Sequence, residues 1–135
     1  MEIDRSLWRR RKAKFIRTTM ASPFVKYLLD MLSDLGDVRS RAMFGGYGIY
    51  HEGVMIGLIA SGVFYLKVDD ENRAAFEAEG SKPFTYRRKG KTKAVAMSYW
   101  EVPVDVLENR EDLYQWARDA HAAAVRSKSK NRKRK

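Results

Sequence analysis

The densest chemistry in this sequence is positive charge. Arg87-Arg88-Lys89-Gly90-Lys91-Thr92-Lys93 sets five cations around one glycine. Guanidinium and ammonium groups pair with phosphate oxygens, and a glycine at a hairpin tip lets the backbone come close to a groove. Tyr86 beside them offers a ring face on which an unpaired base could stack. The same string also reads as a solvated tip that keeps a hairpin from pairing edge to edge. A second cluster, Arg126, Lys128, Lys130, Arg132, Lys133, Arg134 and Lys135, closes the chain. It would supply phosphate contacts without sequence preference, with a log–log salt slope approaching about −6 if all seven engaged a duplex. A purely solubilising role fits these seven equally well.

The other reactive residue types are sparse. His51 and His121 are the only histidines, and there is no cysteine. Two histidines far apart in sequence, with Glu52 beside one of them, do not form a metal-ligand motif, so both read as surface or structural residues. A nucleophilic triad needs three groups assembled in space, which spacing alone does not show. Gly45, Gly46 and Gly48 are followed by a strand and not by the helix that a dinucleotide fingerprint opens, and no Gly-Lys-Ser/Thr follows. They read as a structural turn or bulge where glycine permits a positive φ or close packing. Asp69-Asp70-Glu71 reads as the acidic start of a helix, without calcium-loop spacing. The expectation is therefore a non-enzyme, with no catalytic residues, no metal and no cofactor.

Charge is unevenly placed. The formal net charge is +10, of which residues 1–20 carry +5, residues 126–135 carry +7 and the 105 residues between carry −2. The basicity belongs to the two ends, so the sequence pI near 9.9 describes them and not the body. Basic ends attract polyanions in a salt-sensitive way. A chain of 135 residues with 44% hydrophobic content holds one core. Without cysteine that core rests on no disulfide, which fits a reducing compartment. No apolar run approaches the roughly 18 residues of a membrane span.

These residues must be positioned by secondary structure. The first segment, MEIDRSLWRRRKAKFIRTT, lacks the apolar core and cleavage site of a secretory signal. It reads as a disordered basic extension with Trp8 as an exposed anchor, or as sequence ahead of a start at Met20; a basic amphipathic helix at a membrane surface is a further option. The domain is expected over 21–125. Ser22-Pro23 caps a helix whose Phe24, Leu28, Met31, Leu32 and Leu35 share one face, and Gly36 stops it. Strands follow over 39–44, 47–51, 54–60 and 63–68, joined by Glu52-Gly53 and Ser61-Gly62 turns. Asp69 to Asn72 opens a second helix ending at Gly80. Strands over 84–88 and 94–100 form a hairpin around Gly90. Pro103 starts a short helical turn, and Asn109 caps a last helix with Leu113, Trp116, Ala117, Ala120 and Ala124 as its buried stripe. Trp100, Tyr99 and Tyr114 are expected in or near the core. Residues 126–135, devoid of apolar side chains, are expected to be a disordered tail. The outcome is an α+β fold in two layers: a mainly antiparallel sheet of five to six strands with helices on one face.

Four strings in this order, MFGGYGIY (43–50), GVMIGLIASGVFYLKVDDENR (53–73), KPFTYRRKGK (82–91) and AMSYWEVP (96–103), resemble the TfoX/Sxy amino-terminal domain of competence regulators. The resemblance covers about residues 22–124. It implies a bacterial, cytoplasmic regulatory protein of the same two-layer fold, and it carries no catalytic residues with it. Full-length competence regulators of the family continue into a second domain, whereas a basic tail stands at that place here, so a stand-alone domain is expected. Its partners would be a regulatory protein, nucleic acid or both, without a membrane span and with a homodimer as one option. The alternative is a protein-interaction or dimerisation domain that binds no nucleic acid specifically.

Overall fold

The structure is a computed structural model that describes residues 22–43, 45–87 and 94–134. The basic extension with Trp8, the alternative starts at Met1 and Met20, and the basic residues Arg88, Lys89, Lys91, Lys93 and Lys135 lie outside the described residues.

Helix α1 (Pro23–Met31) starts where Ser22 Oγ accepts the Val25 N–H at 3.2 Å, with proline in its first turn. Val25, Leu28 and Leu32 are fully buried. The single helix expected up to Gly36 is split: α-helical bonding ends at Met31, a 3₁₀ turn spans Ser33–Leu35, and Gly36 reverses the chain at φ 101°.

Six strands follow in two groups: β1 (Val38–Met43), β2 (Gly46–His51), β3 (Val54–Ala60), β4 (Val63–Lys67), and, after helix α2 (Arg73–Ala78), β5 (Pro83–Arg87) and β6 (Ala94–Glu101). They form one sheet in the order β1-β2-β3-β4-β6-β5, antiparallel throughout. Glu52 and Gly53 (φ 53° and 80°) and Ser61 and Gly62 (φ 51° and 77°) turn the first hairpins with positive φ at both central positions, matching the natural strand twist. A short helix α3 (Val104–Leu107) leads to the long helix α4 (Arg110–Arg134), capped by Asn109 Oδ1 on the Asp112 N–H at 2.9 Å.

The described helices cover one face. Ile49, Ile56, Ile59, Phe64, Leu66 and Val68 point from the sheet into a core closed by Phe76, Val106, Leu113, Ala117 and Ala120. The register shifts between Ile49 and Tyr50, so Ile56 and Gly57 both oppose one stretch of β2 and Ile56 stays in the core. The stripe of alanines at 117, 120, 123 and 124 has no bulk, and this lets α4 lie close on β3 and β4. Trp100 and Trp116 pack edge-on against Phe76, with ring centroids 6.3 and 4.6 Å away. Tyr99, expected in or near the core, is partly buried but lies outside the core cluster; it pairs with Lys67, whose ammonium sits 5.2 Å from its ring centre.

The expected disordered tail is also corrected. The helix runs on through Arg126 to Arg134. Its first turns are already nucleated by packing, so each added residue costs little, and Lys, Arg and Ser tolerate helix well enough to continue. Arg126 is additionally pinned to the body by Asp69, described below. No helix among the described residues is long and apolar enough to cross a membrane.

Candidate functional site

Strand register decides what the open face offers. Tyr50 pairs with Met55, Leu58 with Tyr65, and Lys67 with Tyr99. Arg39 and Arg41, one position off the inward residues of the edge strand β1, are both exposed. The Arg41 guanidinium lies 5.9 Å from the centre of the Tyr50 ring. Two open clefts result. One, of about 450 Å³, is lined by Asp37, Arg39, Ser40, Arg41, Tyr50 and Gly53. The other, of about 270 Å³, includes Tyr50, Gly53, Met55, Lys67, Tyr99 and, from α4, Ser127 and Lys128. They adjoin through Tyr50 and Gly53. Partial burial pushes the Tyr99 hydroxyl above its ordinary pKa and pulls the Lys67 ammonium below its own, the latter opposed by nearby Asp69. Lys67 Nζ also donates to Ser98 Oγ at 2.6 Å.

Two polar clusters lie where α4 passes this end of the sheet. In the first, Arg126 donates from Nε to Asp69 Oδ2 at 2.7 Å and from its terminal nitrogen to Oδ1 at 3.0 Å. Asp69 also accepts the Glu71 N–H at 3.0 Å, and Glu71 adds a contact at 3.3 Å. The Arg126 bond, with the backbone bonds behind it, holds the Asp69 carboxyl below its usual range; the same bond raises Arg126. Asp69 was expected to favour a helix dipole; α2 begins four residues later at Arg73, and the carboxylate is used on Arg126 instead.

In the second cluster, His51 at the end of β2, Glu52 in the turn and His121 on α4 bring three donor atoms within 4.8 Å of one another. His51 is buried, and its Nδ1 donates to the Asp37 carbonyl at 2.9 Å, because a carbonyl can only accept. The Glu52 N–H donates to that same carbonyl at 3.2 Å. The two imidazoles meet edge to face, centroids 4.6 Å apart. Burial, then His51, lowers the pKa of His121, with Glu52 opposing. Sequence spacing gave no hint of this meeting. The only available signal was His121 falling beside the alanine stripe.

The remaining expected sites divide as follows. Gly45 takes φ 80° at the turn, while Gly46 and Gly48 lie inside β2. A Cβ on Gly46 would strike the Ile59 carbonyl, so close strand approach is its requirement. Arg87 pairs with Ala94 at the end of the β5–β6 ladder, so these two strands make the expected antiparallel hairpin, while residues 88–93 lie outside the described residues. Because β6 joins β4 at Tyr99 to Glu101, this hairpin leads off the Val68 end of β4. That is also the end where Arg126 meets Asp69. Lys128 and Lys130 are exposed on α4, and Arg132, Lys133 and Arg134 occupy its last turns. Arg126, expected as a free phosphate contact, is instead committed to Asp69.

The fold and its open face define a two-layer α+β domain that displays a cation-bordered sheet. The sequence profile of the TfoX N-terminal domain matches residues 30–124, and the chain belongs to that family, a competence-related regulatory one. It is 32% identical over 73 residues to the DNA transformation protein TfoX1 of Aliivibrio fischeri (strain ATCC 700601 / ES114). That match covers 54% of this chain and 34% of the relative, so this chain corresponds to about a third of the relative's length.

Proposed function

We propose that this chain is a non-enzymatic, cytoplasmic regulatory binding module whose ligand is nucleic acid, held on the open sheet face and the basic half of α4. The observation that carries the reading is the pair of adjoining clefts that share Tyr50. Their cations Arg41, Lys67 and Lys128 come from three separate elements, beside Arg39, whose Nε donates to Asp37 Oδ1 at 2.8 Å, and Tyr50 and Tyr99 lie among them. Cations along a track neutralise phosphates, and tyrosine faces stack on bases with little sequence preference. Lys130 and the last turns of α4 prolong the positive track, and the Arg87 hairpin leads off the same end of the sheet. The name of the Aliivibrio relative, a DNA transformation protein, agrees with this ligand class.

The test is fluorescence anisotropy of labelled single-stranded and duplex DNA over a salt series. Replacing Lys128, Lys130, Arg132, Lys133 and Arg134 with serine should weaken both forms and flatten the salt slope by about one per lost phosphate contact. Replacing Tyr50 and Tyr99 with alanine should weaken single strands by about 1–3 kcal/mol per stacked base and spare the duplex more. Absence of binding at physiological salt, or binding indifferent to both sets, overturns the reading.

One observation favours a second reading, a protein-interaction or dimerisation domain. Tyr65 and Phe84 meet edge to face at 5.0 Å on the same open side, beside partly buried Leu58 and Met97. This reading expects a stable dimer in light scattering that Tyr65→Asp disrupts.

A further inference from the structure

We infer that His51, Glu52 and His121 form a binding site for a divalent metal ion of the zinc class, clamping the β2–β3 turn to helix α4. The donor set is two imidazole nitrogens and one carboxylate, which suits zinc and its first-row neighbours and disfavours magnesium and calcium.

The geometry supplies the argument. Glu52 Oε2 lies 3.9 Å from His51 Nε2, and Glu52 Oε1 lies 3.9 Å from His121 Nε2. Both separations exceed a hydrogen bond, so the carboxylate stands between two imidazoles without bonding either. Two donors on one tetrahedral ion, each about 2.0–2.1 Å from it, lie about 3.3–3.4 Å apart. The two 3.9 Å separations run to different carboxylate oxygens, and one donor atom from each residue lies within 4.8 Å of the others, so the gaps to close run from about half an ångström to about 1.5 Å. Glu52, whose side chain is 65% exposed, can swing toward either imidazole, and His121, 22% exposed, must draw in as well.

The donors are also preset. His51 spends its Nδ1 proton on the Asp37 carbonyl, which fixes the ring and leaves Nε2 with its lone pair toward Glu52. That is the carbonyl-backed arrangement characteristic of metal-ligating histidines. Glu52 is tied to the same carbonyl through its N–H, and its positive φ of 53° is the conformation that sets its side chain beside His51. His121 arrives from the other layer, brought near by the alanines of α4. Three ligands leave at least one coordination position for water. An ion here would join the turn that borders both clefts, through Gly53, to the helix that carries Lys128.

The experiment uses the full, tag-free chain, stripped of metal with a chelator and exchanged into chelator-free buffer. Calorimetric titration with Zn²⁺ should give saturable one-to-one binding, with no heat from Mg²⁺ under the same conditions. Thermal unfolding should shift upward with Zn²⁺ concentration. Glu52→Gln and His121→Ala should each weaken binding at least tenfold while leaving the metal-free melting temperature near that of the unsubstituted chain. His51 is left intact because its burial makes it a folding residue. Long-range proton–nitrogen NMR should move both Nε2 resonances on metal addition and leave the His51 Nδ1 proton in place. No saturable Zn²⁺ binding at about 100 μM, or binding unchanged within twofold in both variants, overturns the proposal.

Discussion

Where α4 passes Asp69, each charged group meets a partner at bonding distance; where it passes His51 and Glu52, three donors stop short of one another. The Asp69–Arg126 contact is bidentate at 2.7 and 3.0 Å, and the carboxylate takes a backbone N–H besides. The histidine cluster has two 3.9 Å separations and a glutamate mostly in water. Both join the same helix to the same end of the sheet, and both lean on backbone groups for orientation. They differ in completeness. A closed ion pair consumes its charges to hold structure, whereas an open donor set keeps lone pairs available. The contrast says why Arg126 is unsuited to grip phosphate and why His51, although buried, is suited to bind an ion.

The largest expected effect breaks both clusters at once. Ala120 is fully buried under α4. Ala120→Leu should force the helix off β3 and β4 and cost about 1–3 kcal/mol in denaturant unfolding. It should also abolish the bidentate Arg126 contact and the approach of His121. A smaller change targets the closed cluster alone. Asp69→Ala removes the Arg126 partner and the Glu71 N–H acceptor, and chemical denaturation should show a loss of about 1–2 kcal/mol, moderated by the partial exposure of both side chains.

Acid sharpens the same contrast. The Asp69 carboxyl is depressed by Arg126 first and by its backbone bonds. Folding therefore favours its ionised form. The stabilisation is complete above the unfolded carboxyl value near about 3.9 and disappears as pH falls through the lower folded value. Unfolding followed below about pH 4 should fall more steeply for the unsubstituted chain than for Asp69→Asn. The smallest effect belongs to the open cluster. Without metal, His121→Ala should change stability by no more than about 0.5–1 kcal/mol, since no hydrogen bond to that ring is lost. A larger loss would mean that the cluster is structurally closed like its neighbour.

Local signals were legible wherever one short segment decides the outcome. Ser22-Pro23, the Glu52-Gly53 and Ser61-Gly62 turns and the Asn109 cap each act through backbone groups within a few residues. The end of α4 was misread because composition alone treats a run of cations as unable to fold. Composition does not register that the helix is already nucleated on the sheet, nor that Arg126 has a carboxylate waiting 57 positions away. The place of Tyr99 was less legible because aromatic residues fit either side of a sheet; it pairs with Lys67 and lies outside the core cluster.

The sequence by itself determined the element order, the capped starts, the hairpin turns, the family and the location of charge at the two ends. Those properties are carried by neighbours along the chain or by strings matched in order. Tertiary structure alone decided that Arg126 is an anchor, that Arg39, Arg41, Lys67 and Lys128 border two clefts around Tyr50, and that His51, Glu52 and His121 face one another. The anchor, the place of Lys128 and the meeting of the histidines depend on the distance between α4 and the sheet, whereas Arg39 and Arg41 are placed by the register of β1 on β2. That distance is set by side-chain volume on a buried stripe, a property of packing between elements that no local pattern contains.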